Sequence, residues 1–290
     1  MNFVWMKRKL KLYWPLIKSL QTGLLLVTGF TGFISSRCPV MNWQITIGLL
    51  GSLFLTVSGS TILNMVYDRD IDARMKRTAH RPLPTGLVPV GEALAVGLVV
   101  TLLGLLWAFW LSPLYGLVVF AGWFIDVVVY TVWLKRRTAW SIVWGGISGG
   151  MPILAGRVLG TGQIDWIGVL LSMAILLWIP THILTFSMRY YEDYRNAGVP
   201  TFPSAYGIKP TRLIIALSSI GAAAAIGLAI YALGLSWGYL RLLAVLTTGL
   251  LGLALISIFQ PSEKINFGLF KYASVFMLGS MIMVMLGAMP

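Results

Sequence analysis

Residues 64–86 read NMVYDRDIDARMKRTAHRPLPTG, and they follow a long apolar run that is still helical where they begin. Asn64, Asp68 and Asp72 are spaced i, i+4, i+8, which on a helix stacks them along one face. Like charges at i, i+4 repel, so the three make a poor salt-bridge ladder. They make a good site for a hard cation: Mg²⁺ takes a few carboxylate oxygens and completes its shell with water and phosphate. Arg69, Arg74, Lys76, Arg77 and Arg81 are interleaved with them. Carboxylates for a metal beside cations for an anion point to a metal–diphosphate site. A solvated loop of mixed charge between two helices is the competing reading.

The rest of the chain places this stretch at a membrane. Of 290 residues, 58% are hydrophobic and 11% charged, too apolar for a soluble domain. The apolar residues come in long blocks, so an all-α, polytopic membrane protein is expected rather than a β-barrel. Nine spans are predicted, at 19–35, 42–67, 93–111, 114–133, 139–158, 164–188, 211–232, 239–259 and 268–288, within one transmembrane domain covering 1–290. No cleavable signal peptide is evident. Cys38 is the only cysteine, which excludes an intramolecular disulfide.

The net charge of +13 follows the loops, so it calls for no nucleic acid. Lys7, Arg8, Lys9, Lys11 and Lys18 precede the first span; Arg69 to Arg81 follow the second; Lys135, Arg136 and Arg137 follow the fourth. Arg189, Arg195, Lys209 and Arg212 follow the sixth, and Lys264 and Lys271 flank the last turn. The opposite side receives only Arg37, Arg157 and Arg241. The excess of basic residues marks the cytoplasmic face, so the amino terminus is expected inside and the carboxyl terminus outside, in the cytoplasmic (inner) membrane. The basic N-terminal stretch reads either as this topology signal or as an interfacial anchor.

A second polar segment, RYYEDYRNAGVP at 189–200, again starts where an apolar helix ends. Asp68, Asp70, Asp72, Glu92, Glu192 and Asp193 are six of nine acidic residues, a concentration that solubility alone does not explain. Two acidic segments facing each other can hold two Mg²⁺ around one diphosphate. Pro200 and Pro203 are expected to stop the helix and turn the following residues into a cap. Within spans, Asp126 is costly and by default functional, or else a buried structural hydrogen bond. His182 lies deeper than the polar segments.

These stretches resemble the UbiA-type intramembrane prenyltransferases, and among them the protoheme IX farnesyltransferases (haem O synthases). Asn64, Asp68 and Asp72 with Arg77-Thr78 and Arg81-Pro82 are similar to that family's first signature, and Asp193-Tyr194 with Ala197 to Pro200 to its second. Tyr130-Thr131, Lys135 to Thr138 and Gly145-Gly146, and Pro180 with His182, match in order between them. Thr181 stands where the family has a second Pro, Ile183 to Thr185 where it has aromatic residues, Thr201-Phe202 where it has Met-Leu, and Ser19-Leu20 after Lys18 where it has Pro-Arg.

The resemblance implies a nine-helix bundle and transfer of a farnesyl group from farnesyl diphosphate to a vinyl group of haem B, giving haem O. The allylic carbon–oxygen bond ionises, the vinyl carbon attacks, and water adds. It implies Asn64, Asp68 and Asp72 at one Mg²⁺, Asp193 with Glu192 at a second, and Arg69, Arg77, Arg81, Lys135 and Arg189 around the diphosphate. His182 is then expected near the acceptor, through haem iron or a propionate. A different acceptor in the same superfamily (a quinone precursor, a chlorophyll-type macrocycle or a lipid alcohol) is the alternative. A transporter is opposed by the position of the clusters at helix ends rather than at the midplane.

Overall fold

A computed structural model describes residues 7, 9, 11–37 and 42–289; Cys38, and Met6, Arg8 and Leu10 of the basic N-terminal stretch, lie outside them. Its long helices are α1 (Ser19–Ser35), α2 (Trp43–Tyr67), α4 (Val90–Leu111), α5 (Pro113–Leu134), α6 (Ser141–Thr161), α7 (Trp166–Arg189), α10 (Ile208–Ala232), α11 (Trp237–Phe259) and α12 (Glu263–Ala288). Eight of these are long and apolar enough to cross a membrane, and α1, of 17 residues, is a shorter apolar helix. Three short helices lie between them: α3 (Arg69–Arg74), α8 (Tyr191–Asn196) and α9 (Phe202–Tyr206). Sequential long helices pack on one another, and α12 also packs on α1 and α7, closing the bundle.

Small residues set the closest approaches, as expected where lipid removes the hydrophobic drive between helices. A Cβ on Gly32 of α1 would sit 1.9 Å from the Ile153 carbonyl of α6, and one on Gly156 of α6 1.8 Å from the Gly29 carbonyl. At the end of the bundle away from the polar segments, buried Arg157 joins three elements. It donates to Asp165 (2.7 and 2.9 Å from Nε) and to the Ser35 carbonyl (2.7 Å). Asp165 also caps α7 by accepting from the Gly168 N–H at 2.8 Å.

Two departures from the sequence-based expectation matter for the site. The helix carrying the stacked residues is interrupted at Asp68, whose backbone (φ −88°, ψ 6°) leaves the helical region. The i→i+4 bonds nevertheless continue through it, from Asp68 N to Asn64 O and Asp72 N to Asp68 O, so the stacking survives. The second half of α5, Ile125–Leu134, is a π-helix; nothing in its apolar sequence announces this.

The residue after the second signature also behaves differently from expectation. Pro203 stands in the first turn of α9 rather than only ending a helix, where its missing N–H costs nothing. Phe202 and Tyr206 of α9 pack on Trp140, with the Trp140 indole N–H donating to Tyr206 at 2.8 Å. Covering the first polar segment falls instead to Ala197 and Val199, which are buried against Ile71 and Met75.

Candidate active site

The two polar segments meet at one end of the bundle, through that Ile71, Met75, Ala197 and Val199 cluster. Thr78 fixes the return of the first segment: buried, it donates its hydroxyl to the Asp72 carbonyl at 2.9 Å. The chain then turns over Pro82 and Leu83 to Gly86, whose φ of +74° suits a residue without a Cβ.

Asn64, Asp68 and Asp72 are buried, at 9%, 6% and 6% exposure. Each has a partner from another part of the chain. The Asn64 amide donates to Asp126 at 2.8 Å, and Ser60, one turn below, donates to the same Asp126 oxygen at 2.5 Å. Lys135 donates to Asp68 Oδ2. Arg81 donates to Asp72 at 2.8 Å. The exposed Asp70 forms a two-bond fork with Arg136, at 2.7 and 2.9 Å, which holds its carboxyl below the usual carboxylate range. Two buried oxygens on successive turns, Asn64 Oδ1 and Asp68 Oδ1, have no hydrogen-bond partner. Such groups are costly to leave unmet, and a hard cation is a ligand that oxygens of this kind accept.

Arg77 and Arg189 lie among aromatic rings. Arg77 sits over Phe186 (5.0 Å) and Tyr190 (5.5 Å), its buried Nε unpartnered; Arg189 sits 4.0 Å over Phe267. Arg69 is exposed and donates to the Val66 carbonyl at 3.0 Å. Glu192 is exposed and lies 3.9 Å from Arg195, while Asp193 is half-buried on α8. Among the described residues no three of His, Cys, Asp and Glu gather into a metal cluster. The oxygens of Asn64 and Asp68 that lack a hydrogen bond are the ones that fit a cation, whereas Glu192 is exposed to solvent. The reason is local: α8 is a separate short helix that turns Glu192 outward.

Two residues, Lys18 and Tyr194, join the site that the sequence did not single out for it. Leu16 is fully buried against Ile62, Met65 and Leu83, which pins the segment before α1 over the first signature. Lys9 and Tyr13 of that segment bind Glu92 at 2.5 to 3.0 Å. Lys18 then adopts a left-handed backbone (φ 45°). Its ammonium falls to about 8, mainly by burial and then by the positive charges of Lys135 and Arg81, with Asp126 and Asp68 opposing. The second is Tyr194, whose phenol is within electrostatic reach of Lys135. Burial acts to lower Lys135, but Tyr130 and Asp68 outweigh it and hold this lysine above its ordinary value.

His182 lies deeper on α7. Its ring is stacked between Trp178 (4.9 Å) and Phe270 (4.4 Å), and Nδ1 is 3.2 Å from the Ser274 hydroxyl. With both faces covered and Nδ1 engaged, Nε2 is the remaining edge for a ligand.

The UbiA prenyltransferase family profile matches residues 25–277. The chain belongs to the UbiA prenyltransferase family. It is 38% identical over 263 residues to a protoheme IX farnesyltransferase of Pyrobaculum islandicum, covering 90% of this chain and 94% of that one. A protoheme IX farnesyltransferase of Archaeoglobus fulgidus is 43% identical over 201 residues, 69% of this chain and 70% of that one. Among solved structures, a digeranylgeranylglyceryl phosphate synthase superposes with a TM-score of 0.81 at 20% identity, covering 97% and 99% of the two chains. A UbiA homologue from Archaeoglobus fulgidus, bound to GPP and Mg²⁺, superposes with a TM-score of 0.68 at 18% identity over 94% and 99%. The UbiA fold is thereby shared, and the chain is a membrane-embedded prenyltransferase.

Proposed function

We propose that this prenyltransferase moves the farnesyl group of farnesyl diphosphate onto a vinyl group of haem B, giving haem O, with Mg²⁺ at its diphosphate site. The observation that carries the reading is the likeness, over most of the chain, to relatives named protoheme IX farnesyltransferase. The whole chain acts as one transmembrane domain, its polar end on the cytoplasmic side of the cytoplasmic membrane.

Asn64, Asp68 and Asp72 are the residues to hold the metal, with Asp193 joining from α8 once the diphosphate is present. When bound, Mg²⁺ supplies neutralisation of the charge that gathers on the leaving diphosphate. Lys18, Arg77, Arg81, Lys135 and Arg189 bind the diphosphate oxygens. Arg81 and Lys135 exchange their present carboxylate partners for it. The allylic C–O bond breaks with its electron pair leaving on the diphosphate. The terminal vinyl carbon forms the new C–C bond, and water closes the remaining cation as a hydroxyl, its proton passing to solvent or the released diphosphate. Aromatic faces at Tyr130, Phe186 and Tyr190 line this end and favour a passing cation. The apolar helices keep water from the allylic cation before the C–C bond forms.

Incubating the purified protein with farnesyl diphosphate, Mg²⁺ and haem B, and reading haem O by mass, tests the proposal. Product that disappears with EDTA and returns with Mg²⁺ supports it. Prenylation of a quinone precursor or lipid alcohol, with haem B untouched, overturns the acceptor; full activity in metal-free buffer overturns the metal.

A further inference from the structure

Asp126 has no part in the signatures, yet it faces the first of them. Its Oδ2 accepts two hydrogen bonds, from the Ser60 hydroxyl at 2.5 Å and from the Asn64 amide NH₂ at 2.8 Å. Ser60 and Asn64 on α2 and Asp68 at its C-terminal cap follow one another at one-turn intervals, so Asp126 meets the inward continuation of the same polar face. A side-chain amide has a donor end and an acceptor end, and a carboxylate only accepts. Asp126 therefore takes the NH₂ and leaves Asn64 Oδ1 turned away from it. That oxygen is buried and accepts no hydrogen bond; neither does Asp68 Oδ1 on the next turn, whose nearest cation is Arg136 at 3.9 Å.

The π-helical stretch explains how α5 presents Asp126 there. Asp126 and Lys135 are nine residues apart. At 3.6 residues per turn nine residues make two and a half turns, which would put them on opposite faces of an α-helix. The wider turn of a π-helix brings nine residues close to two whole turns, and such segments recur at functional sites. Here one face of Ile125–Leu134 and its cap delivers Asp126 to Ser60 and Asn64, and Lys135 to Asp68.

We propose that Asp126 is a positioning residue for the metal–diphosphate site: it locks the Asn64 amide so that the carbonyl oxygen, and not the NH₂, faces the cation beside Asp68. The inference rests on the reading of Asn64 and Asp68 as metal ligands. Partners of this kind around a ligand are typically worth about 10–100-fold in metal affinity.

Mn²⁺, a paramagnetic stand-in for Mg²⁺, is titrated into the purified protein with inorganic pyrophosphate, and bound Mn²⁺ is counted by electron paramagnetic resonance. Wild type should bind. Asp126→Ala should bind more weakly by about 10-fold or more. Asp126→Asn, whose own carbonyl still accepts the Asn64 NH₂, should recover most of the loss. Asn64→Asp alone should weaken binding, because two carboxylates then oppose each other. Asn64→Asp combined with Asp126→Asn exchanges donor and acceptor and should restore it; a Mn²⁺ affinity that falls and recovers while the melting point of the apoprotein stays put is a result that a merely structural role for Asp126 does not produce. Unchanged affinity in Asp126→Ala overturns the proposal, and so does failure of the double substitution to rescue. If Asp126→Ala does not fold, the Asn64→Asp comparison decides. Absence of Mn²⁺ binding by the wild type removes the metal reading itself, and this inference with it.

Discussion

At the scale of single residues, Asp68 and Asp72 are held by cations that a diphosphate would compete for. Asp68→Ala and Asp72→Ala each remove a metal-directed oxygen and strand Lys135 or Arg81. Each should cut turnover on the order of 100-fold or more while the protein still inserts, as judged by membrane fractionation and haem O yield; Asp193→Ala tests the α8 contribution in the same assay. His182, by contrast, lies away from these groups. Its replacement by Ala should lower haem O formation while farnesyl diphosphate binding, measured by calorimetry, stays near wild type. Loss of both together with loss of folded protein would reduce the imidazole to a packing group between Trp178 and Phe270. Lys18 gives a pH dependence. Its pKa falls from the ordinary 10.5 to about 8 in the folded protein. Between those values the unfolded chain holds a proton that the folded one has released, so stability rises with pH. The cost of the buried charge is therefore full below pH 8 and relieved as pH climbs towards 10.5. A Lys18→Met variant in detergent should melt above wild type at pH 7, and this advantage should shrink by pH 10. A difference that is constant with pH would place the lysine in water.

At the scale of elements, legibility depends on whether a feature is local. The stack of Asn64, Asp68 and Asp72 is set by spacing along one helix, so the sequence carries it, and it persists through the backbone break at Asp68 because the i→i+4 bonds continue. The turn of α5 is different. IDVVVYTVWL contains no Gly or Pro to mark a change of helical period, and the groups that its π geometry serves, Ser60 and Asn64 for Asp126 and Asp68 for Lys135, lie far away along the chain. Lys18 was hidden for a similar reason: its place depends on Leu16 being buried against α2 and the 75–89 loop, a contact between distant residues. The small-residue contacts between helices make a further prediction. A methyl at Gly156 would meet the Gly29 carbonyl at 1.8 Å, and backbone cannot step aside as a side chain does. Gly156→Ala should lower the melting point in detergent and reduce the yield of folded protein. Gly252→Ala on α11, where nothing lies within 4 Å, should be neutral or slightly stabilising, since Ala is the better helix former by about 1 kcal/mol. Equal melting points for the two variants would mean that α1 and α6 do not approach this closely.

At the scale of the whole molecule, the charges and the site argue together. The basic residues that orient a membrane protein and those that bind a diphosphate are here largely the same ones. Arg77, Arg81 and Lys135 fall on the heavily charged side; Arg81 and Lys135 face Asp72 and Asp68, and Arg77 lies over Phe186 and Tyr190. The opposite side has few basic residues, and one of them, Arg157, is buried against Asp165 and Ser35 rather than left in water. That pairing removes a charge from this sparsely charged side and sharpens the asymmetry on which orientation depends. Both polar segments share one side of the membrane, as their packing through Ile71, Met75, Ala197 and Val199 requires, and the excess of basic residues predicts that it is the cytoplasmic one. In a background with Cys38 replaced by Ser, Ala79→Cys and Asn196→Cys should react in intact cells only with thiol reagents that cross the membrane. Gln163→Cys, exposed in the turn before α7 at the other end, should react with an impermeant reagent. Labelling of the 79 or 196 position from outside would invert the molecule and leave its diphosphate site facing away from the cytoplasm. Labelling of one but not the other would contradict the packing of the two segments against each other.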